Sequence, residues 1–161
     1  MRIQSVLSNR RKNAFELRTA KQVLRFPYSR CDPQPTRTDP VIRVSVDREL
    51  GREGFTYVLN SGRKGTVHIE QVLEYNQDPM YMRNLLLHKL TAEALKRLET
   101  SDLSRREIIR RLGTSATQFY RLIDPTNGRK SIDQLLALLH ILDCRVDLIV
   151  RTRSGASRVA A

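Results

Sequence analysis

Apolar and polar residues alternate along three stretches of the first half of the chain: Val41-Ile-Arg-Val-Ser-Val46, Phe55-Thr-Tyr-Val-Leu59 and, more loosely, Gly65-Thr-Val-His-Ile69. A period of two built from β-branched and aromatic residues predicts strands. Asn60-Ser-Gly-Arg-Lys-Gly65 puts two glycines between the second and third, so an antiparallel hairpin is expected and the region reads as a small β-meander. Val23 to Arg30 adds a short edge strand, because Pro27 lacks a ladder donor. Pro33, Pro35 and Pro40 mark the intervening segment as a loop.

Beyond residue 69 the pattern changes to a helical one. Ile69 to Tyr75 suits a short helix broken at Asp78-Pro79. Pro79 to Leu90 is helical and apolar on one side through Met80, Met82, Leu85, Leu86 and Leu87, and Thr91 precedes a further helix over Ala92–Leu98. Ser104-Arg-Arg-Glu107, Ser115-Ala-Thr-Gln118 and Ser131-Ile-Asp-Gln134 are capping boxes, each announcing a helix. The first of these helices closes at Gly113, and the last carries Leu135, Leu136, Leu138, Leu139 and Leu142. Cys144 to Arg151 alternates again and predicts a strand. Residues 1–22 mix cations with apolar residues at a spacing that fits a helix only in part, and read as a basic arm or helix.

The expected class is therefore α+β. Residues 1–22 form the arm, 23–90 the β-meander with its helices, 91–151 a helical domain with a C-terminal strand, and 152–161 a flexible tail. The 161 residues are 40% hydrophobic, enough for cores in one domain or two small ones. Lys and Arg number 29 against 17 Asp and Glu, a net charge of +12, which favours a polyanionic partner. Residues 1–30 hold 8 cations and 1 acid, 31–90 hold 8 of each, and 91–161 hold 13 against 8. Positive potential is thus expected at the two ends.

Cys31 and Cys144 stand far apart without a Cys-x-x-Cys or Cys/His cluster, so neither zinc nor another metal is expected, and a reduced, cytoplasmic setting fits. Asn9-Arg-Arg-Lys12 interrupts the opening apolar residues, unlike a signal peptide, and no stretch approaches the ~20 apolar residues of a membrane span. His68, His88 and His140 have no second ligand or carboxylate at a useful interval. Gly62-Arg-Lys-Gly65 lacks the glycine spacing and Lys-Ser/Thr of a nucleotide-binding loop and reads as a hairpin turn. With no nucleophile motif or paired carboxylates, neither an enzyme nor a cofactor is expected.

Leu103-Ser104, Ile108, Leu112-Gly113, Ser115, Phe119, Leu122 and the downstream leucine helix fall at the spacings of the lambda-repressor/Cro helix-turn-helix family, which residues 91–143 resemble. The resemblance implies a left-handed turn at Gly113, a shared core of Ile108, Leu112, Phe119 and Leu122, and a recognition helix from Ala116 to about Ile123. It further implies that Ala116, Thr117, Gln118 and Arg121 read bases: Gln pairs with adenine, Arg with guanine, and the Thr methyl touches thymine. Ser104, Arg105, Ser115, Tyr120, Arg129 and Lys130 are the implied phosphate contacts, with Arg106 and Arg110 as further candidates. Ile109 departs from the family, which usually has a small residue there. Gln118 has a competing task in closing its own capping box.

Residues 23–90, through Tyr57-Val-Leu-Asn-Ser-Gly62 and Leu73-Glu-Tyr-Asn-Gln-Asp-Pro79, also resemble an N-terminal domain fused to this motif in uncharacterised bacterial proteins, a resemblance that brings no function. The implied activity is a bacterial transcription regulator binding operator DNA as a homodimer, with the 144–151 strand as an edge for pairing between protomers. The rival is an antitoxin-like or adaptor protein whose N-terminal domain holds a protein partner while the helix-turn-helix autoregulates. A third reading is salt-sensitive association with any nucleic acid.

Overall fold

A computed structural model of the chain describes residues 1–152. The chain is α+β and divides into two compact units, Met1–Asn84 and Leu85–Ala161.

The first unit holds two antiparallel three-stranded sheets, each in sequential order. Strands β1 (Ile3–Asn9), β2 (Ala14–Thr19) and β3 (Val23–Pro27) form one, with β3 at an edge as expected. Strands β4 (Val41–Val46), β5 (Gly54–Leu59) and β6 (Lys64–His68) form the other and lead into helix α1 (Ile69–Asn76). The meander expected at 41–69 is present, and a second one precedes it. Residues 1–22 are accordingly not an arm or a helix but a hairpin. Its alternation is obscured because the β1–β2 register shifts between Ile3 and Ser5, so Ile3 and Val6, three residues apart, are both buried. In β2 Phe15, Leu17 and Thr19 are buried and Arg18 is exposed, with Ala14 at the strand's start buried as well.

The core of this unit is aromatic. The ring of Phe15 lies 5.0 Å from Tyr28, 4.9 Å from Phe55 and 5.1 Å from Tyr57, joining the first sheet to the second. Such tilted and edge-on pairs each add about 0.5–1.5 kcal/mol beyond burial. Ile3 N donates to the carbonyl of Arg52 at 2.8 Å, and Arg52 Nε donates back to the carbonyl of Ile3 at 3.2 Å. Gly65 stands opposite Tyr57 in the β5–β6 ladder, and a Cβ there would meet Tyr57 Oη at 2.2 Å. The ring occupies the space a side chain would need, and its hydroxyl donates to the carbonyl of Pro33 at 2.6 Å.

In the second unit, helices α3 (Arg105–Leu112), α4 (Ala116–Ile123) and α5 (Ile132–Ile141) pack with the later turns of α2 (Pro79–Thr100). Leu90, Ala94, Leu98, Ile108, Phe119, Leu122, Leu135 and Leu138 are buried together. Helix α2 runs unbroken where two helices were expected. Nothing at Leu90-Thr91 interrupts it, and Thr91 is no cap: its hydroxyl donates to the Leu87 carbonyl at 2.7 Å, one turn back. The strand expected over 144–151 is not formed. Those residues carry no regular structure, because alternation sorts side chains to two faces but supplies no ladder, and among the described residues no strand of this unit lies beside them. The tail predicted for 152–161 lies, apart from Thr152, outside the described residues.

Candidate nucleic-acid interface

All three serine caps are in place. Ser104 Oγ accepts from Glu107 N at 3.2 Å, Ser115 Oγ from Gln118 N at 3.2 Å, and Ser131 Oγ from Gln134 N at 3.3 Å. Between the first two, Gly113 adopts the left-handed conformation at φ 65°, ψ 33°. Gly113 N donates to the Arg110 carbonyl and Thr114 N to that of Ile109, at 3.1 and 3.3 Å, the pair of bonds of a Schellman closure. Helix α3 therefore stops within one residue, and α4 begins three residues later.

Helix α4 anchors itself through Phe119 and Leu122, both buried, with Ile123 half-buried. At 100° per residue this leaves Thr117, Tyr120 and Arg121 in the middle of the outward face, related as i, i+3 and i+4, with Ala116 and Gln118 flanking them. All five are exposed. The side chains of Thr117, Gln118 and Arg121 make no hydrogen bond among the described residues, and Tyr120 makes only an edge-on ring contact with Phe119 at 5.5 Å. The competing task assigned to Gln118 is not taken up: Ser115 closes its half of the box and the carboxamide stays outward. The helix contains no acidic residue.

Ser104 and Ser115 use an oxygen lone pair in capping, which leaves each hydroxyl proton able to donate to an anion. Arg105 and Arg106 are exposed in the first turn of α3. Arg110 is committed elsewhere: it grips Glu107 with Nε at 2.9 Å and Nη2 at 2.7 Å, while Arg111 Nε approaches the same carboxylate at 2.8 Å. These two guanidiniums, Arg110 first, hold the Glu107 carboxyl down to about 2. The one acid of α3 is thereby neutralised by its own helix. Ile109 is half-buried against the core edge, so the large side chain is accommodated there.

Two of the residues expected at phosphate part company in the loop between α4 and α5. Arg129 is exposed, its backbone amide held by Asn127 Oδ1 at 3.0 Å. Lys130 is not available to a phosphate. Its side chain is buried, and Nζ donates to Thr91 Oγ1 at 2.9 Å and to the carbonyl of Asp124, the C-cap of α4. Burial lowers its pKa, with Asp124 partly opposing. The resemblance implies a phosphate contact; the partner that draws it inward, Thr91, is 39 residues away and invisible to any local pattern.

Tyr120, expected at phosphate, is exposed on the same outward face of α4 as Thr117 and Arg121. A separate grouping, of Arg10, Lys12 and Arg37, comes together around a cleft in the first unit, although no motif joins these positions. Among the described residues no three His, Cys, Asp or Glu side chains gather as a metal site, and no helix is long and apolar enough to cross a membrane. No family model, curated protein or solved structure matches this chain.

Proposed function

We propose that the chain is a sequence-specific DNA-binding transcription regulator that acts as a homodimer, with α3 and α4 as a lambda-repressor-like helix-turn-helix and α4 as the recognition helix. The observation that carries this reading is the outward face of α4: polar and cationic, free of acids, and uncommitted to the protein's own hydrogen bonds. A helix about 10 Å across fits the major groove, where Arg121 and Gln118 have the donor geometry for guanine and adenine, and Thr117 the methyl for thymine. Ser104, Arg105, Ser115 and Arg129 are placed in the reading as contacts to the flanking phosphates, where amides at two helix starts add to the attraction. Tyr120 joins the base-facing group.

A dimer would read two half-sites about 34 Å apart. Residues 145–150 favour it, since Leu148, Ile149 and Val150 are 81, 72 and 84% exposed and have no ladder among the described residues. Antiparallel pairing of two copies about Val146 sets Arg145 against the partner's Asp147, a complementary pair across the strands.

The test is selection of a random duplex library by the purified chain at about 0.15 M salt, where non-specific phosphate attraction is screened. A palindromic consensus is expected. Arg121→Ala should cost about 1–3 kcal/mol at that site and relax preference at one base pair. Binding without a consensus that vanishes as salt rises, or a uniform loss with Arg121→Ala, would remove α4 as the reading helix.

A further inference from the structure

Arg10, Lys12 and Arg37 line a cleft of about 720 Å³ that lies wholly within the first unit. One wall is the β1–β2 turn, another is the residues that end β3, and the third is the proline-rich loop before β4. Pro27, Pro35 and Val41 contribute apolar lining. The size falls inside the 300–1,000 Å³ range of small-molecule sites, and the mixture of apolar wall and a few charged groups is their usual composition.

The charges are arranged with one sign. No acid lines the cleft. Asp39, in the loop that forms its third wall, is turned to other work: it accepts from Ser61 N at 2.7 Å, Ser61 Oγ at 2.8 Å and Arg63 Nη2 at 2.9 Å, and Arg63 foremost holds its carboxyl below the usual range. Glu16 is paired with Lys12 at 2.9 Å, so Lys12 contributes only part of its charge. The guanidinium of Arg10 is fixed to the rim by its Nη2 bond to the Val41 carbonyl at 2.9 Å, which spends one of five donors and orients the rest. Arg37 is exposed and has no hydrogen bond among the described residues.

We propose that this cleft binds a small phosphate ester, of mononucleotide size, with the phosphate between Arg10 and Arg37 and the organic part against Pro27, Pro35 and Val41. Two guanidinium groups favour a dianionic, tetrahedral acceptor over a single carboxylate, because each fork can take two oxygens. Three walls favour a discrete molecule over a nucleic-acid strand, whose backbone needs a path in and a path out. This site belongs to the first unit alone, so it stands whether or not α4 reads DNA.

The experiment is an amide chemical-shift titration of the full chain with AMP, and in parallel with inorganic phosphate, adenosine and a short single-stranded oligonucleotide. Saturable shifts at Asn13, Thr36 and Arg37 with AMP, weaker ones with phosphate and none with adenosine are expected. Arg37→Glu should raise the AMP dissociation constant about tenfold or more, the scale of one lost charge-assisted contact. Arg48→Glu, with the same charge change at an exposed arginine outside the cleft, should leave it within a factor of about two. The proposal is overturned by no saturation at about 10 mM AMP, an affinity too weak to mean a site. Equal effects of the two variants, or tighter binding of the oligonucleotide than of AMP at these same amides, would overturn it as well.

Discussion

Replacing Lys130 by methionine keeps the stem that fills the space between α2 and the α4–α5 loop while removing the charge and the donors. Lys130 is 7% exposed, and its ammonium links Thr91 Oγ1 to the carbonyl that ends α4, while the Thr91 hydroxyl donates to the Leu87 carbonyl. Two charge-assisted hydrogen bonds are worth about 1.5–3 kcal/mol each. Withdrawing the buried ammonium returns several kcal/mol of desolvation, so the pair of bonds and the burial cost largely cancel. What survives is the loss of a donor at the fully buried Thr91 Oγ1 and at the partly buried Asp124 carbonyl, about 1–3 kcal/mol. A net loss near ~2 kcal/mol should appear as roughly 30-fold weaker amide protection in α4, read by hydrogen exchange. The pH dependence has a definite sign. Burial lowers the folded pKa below 10.5, so the charged form is penalised in the folded state, and stability rises as pH climbs through the lowered value toward 10.5. Lys130→Met should lose that rise. Unchanged protection in α4, accompanied by a DNA-binding salt slope reduced by about one, would make Lys130 a phosphate contact and refute its structural role.

Gly65→Ala forces a Cβ into Tyr57 Oη and Cζ at 2.2 and 2.3 Å. Overpacking of about 1–3 kcal/mol should be joined by loss of the bond to the Pro33 carbonyl, seen as a lower urea midpoint of the sheet unit; an unshifted midpoint would mean that Tyr57 has another place to go. Glu107→Gln should lower the thermal midpoint of the helical unit at neutral pH. Because the folded pKa is held down to about 2 from 4.5, that contribution is complete above about 4.5 and lost as pH falls through about 2, so wild type and variant should converge in acid. The thiol of Cys31 is buried and pushed up to about 12, chiefly by desolvation, whereas Cys144 is half-buried. A thiol reagent at about pH 8 should modify one cysteine quickly and the second only in denaturant; two fast thiols would show that the first unit opens readily.

What was legible in the sequence was local. A cap is decided by four consecutive residues, so Ser104, Ser115 and Ser131 all act where their spacing put them, and Gly113 turns where a helix had to stop. The hairpin at Asn60–Gly65 and the strands around it follow from alternation and turn chemistry within a dozen residues. The first 22 residues fail this test for one identifiable reason. A register shift between Ile3 and Ser5 breaks the period of two just where the eye needs it, and Arg10, Arg11 and Lys12, clustered in the turn, make a hairpin look like a basic arm. Lys130 and the Arg10–Arg37 cleft escape for a different reason, since each is defined by a partner tens of residues away.

The 144–151 segment separates these two kinds of information. Its alternation predicts a strand that is not formed, because a strand exists only as half of a ladder and the described residues offer no other half. Leu148, Ile149 and Val150 are left more exposed than any core-forming residue of the chain, in a segment whose only described side-chain ion pair is Arg145 with Asp147 at 3.0 Å. An exposed apolar run with unpaired backbone groups is an invitation to edge pairing, costly to leave open. Pairing about Val146 would exchange the Arg145–Asp147 bond within each copy for Arg145 to the partner's Asp147 and the reverse, with no change in their number. A two-fold axis placed there would repeat the helical unit, the symmetry that the proposed homodimer needs for a palindromic site.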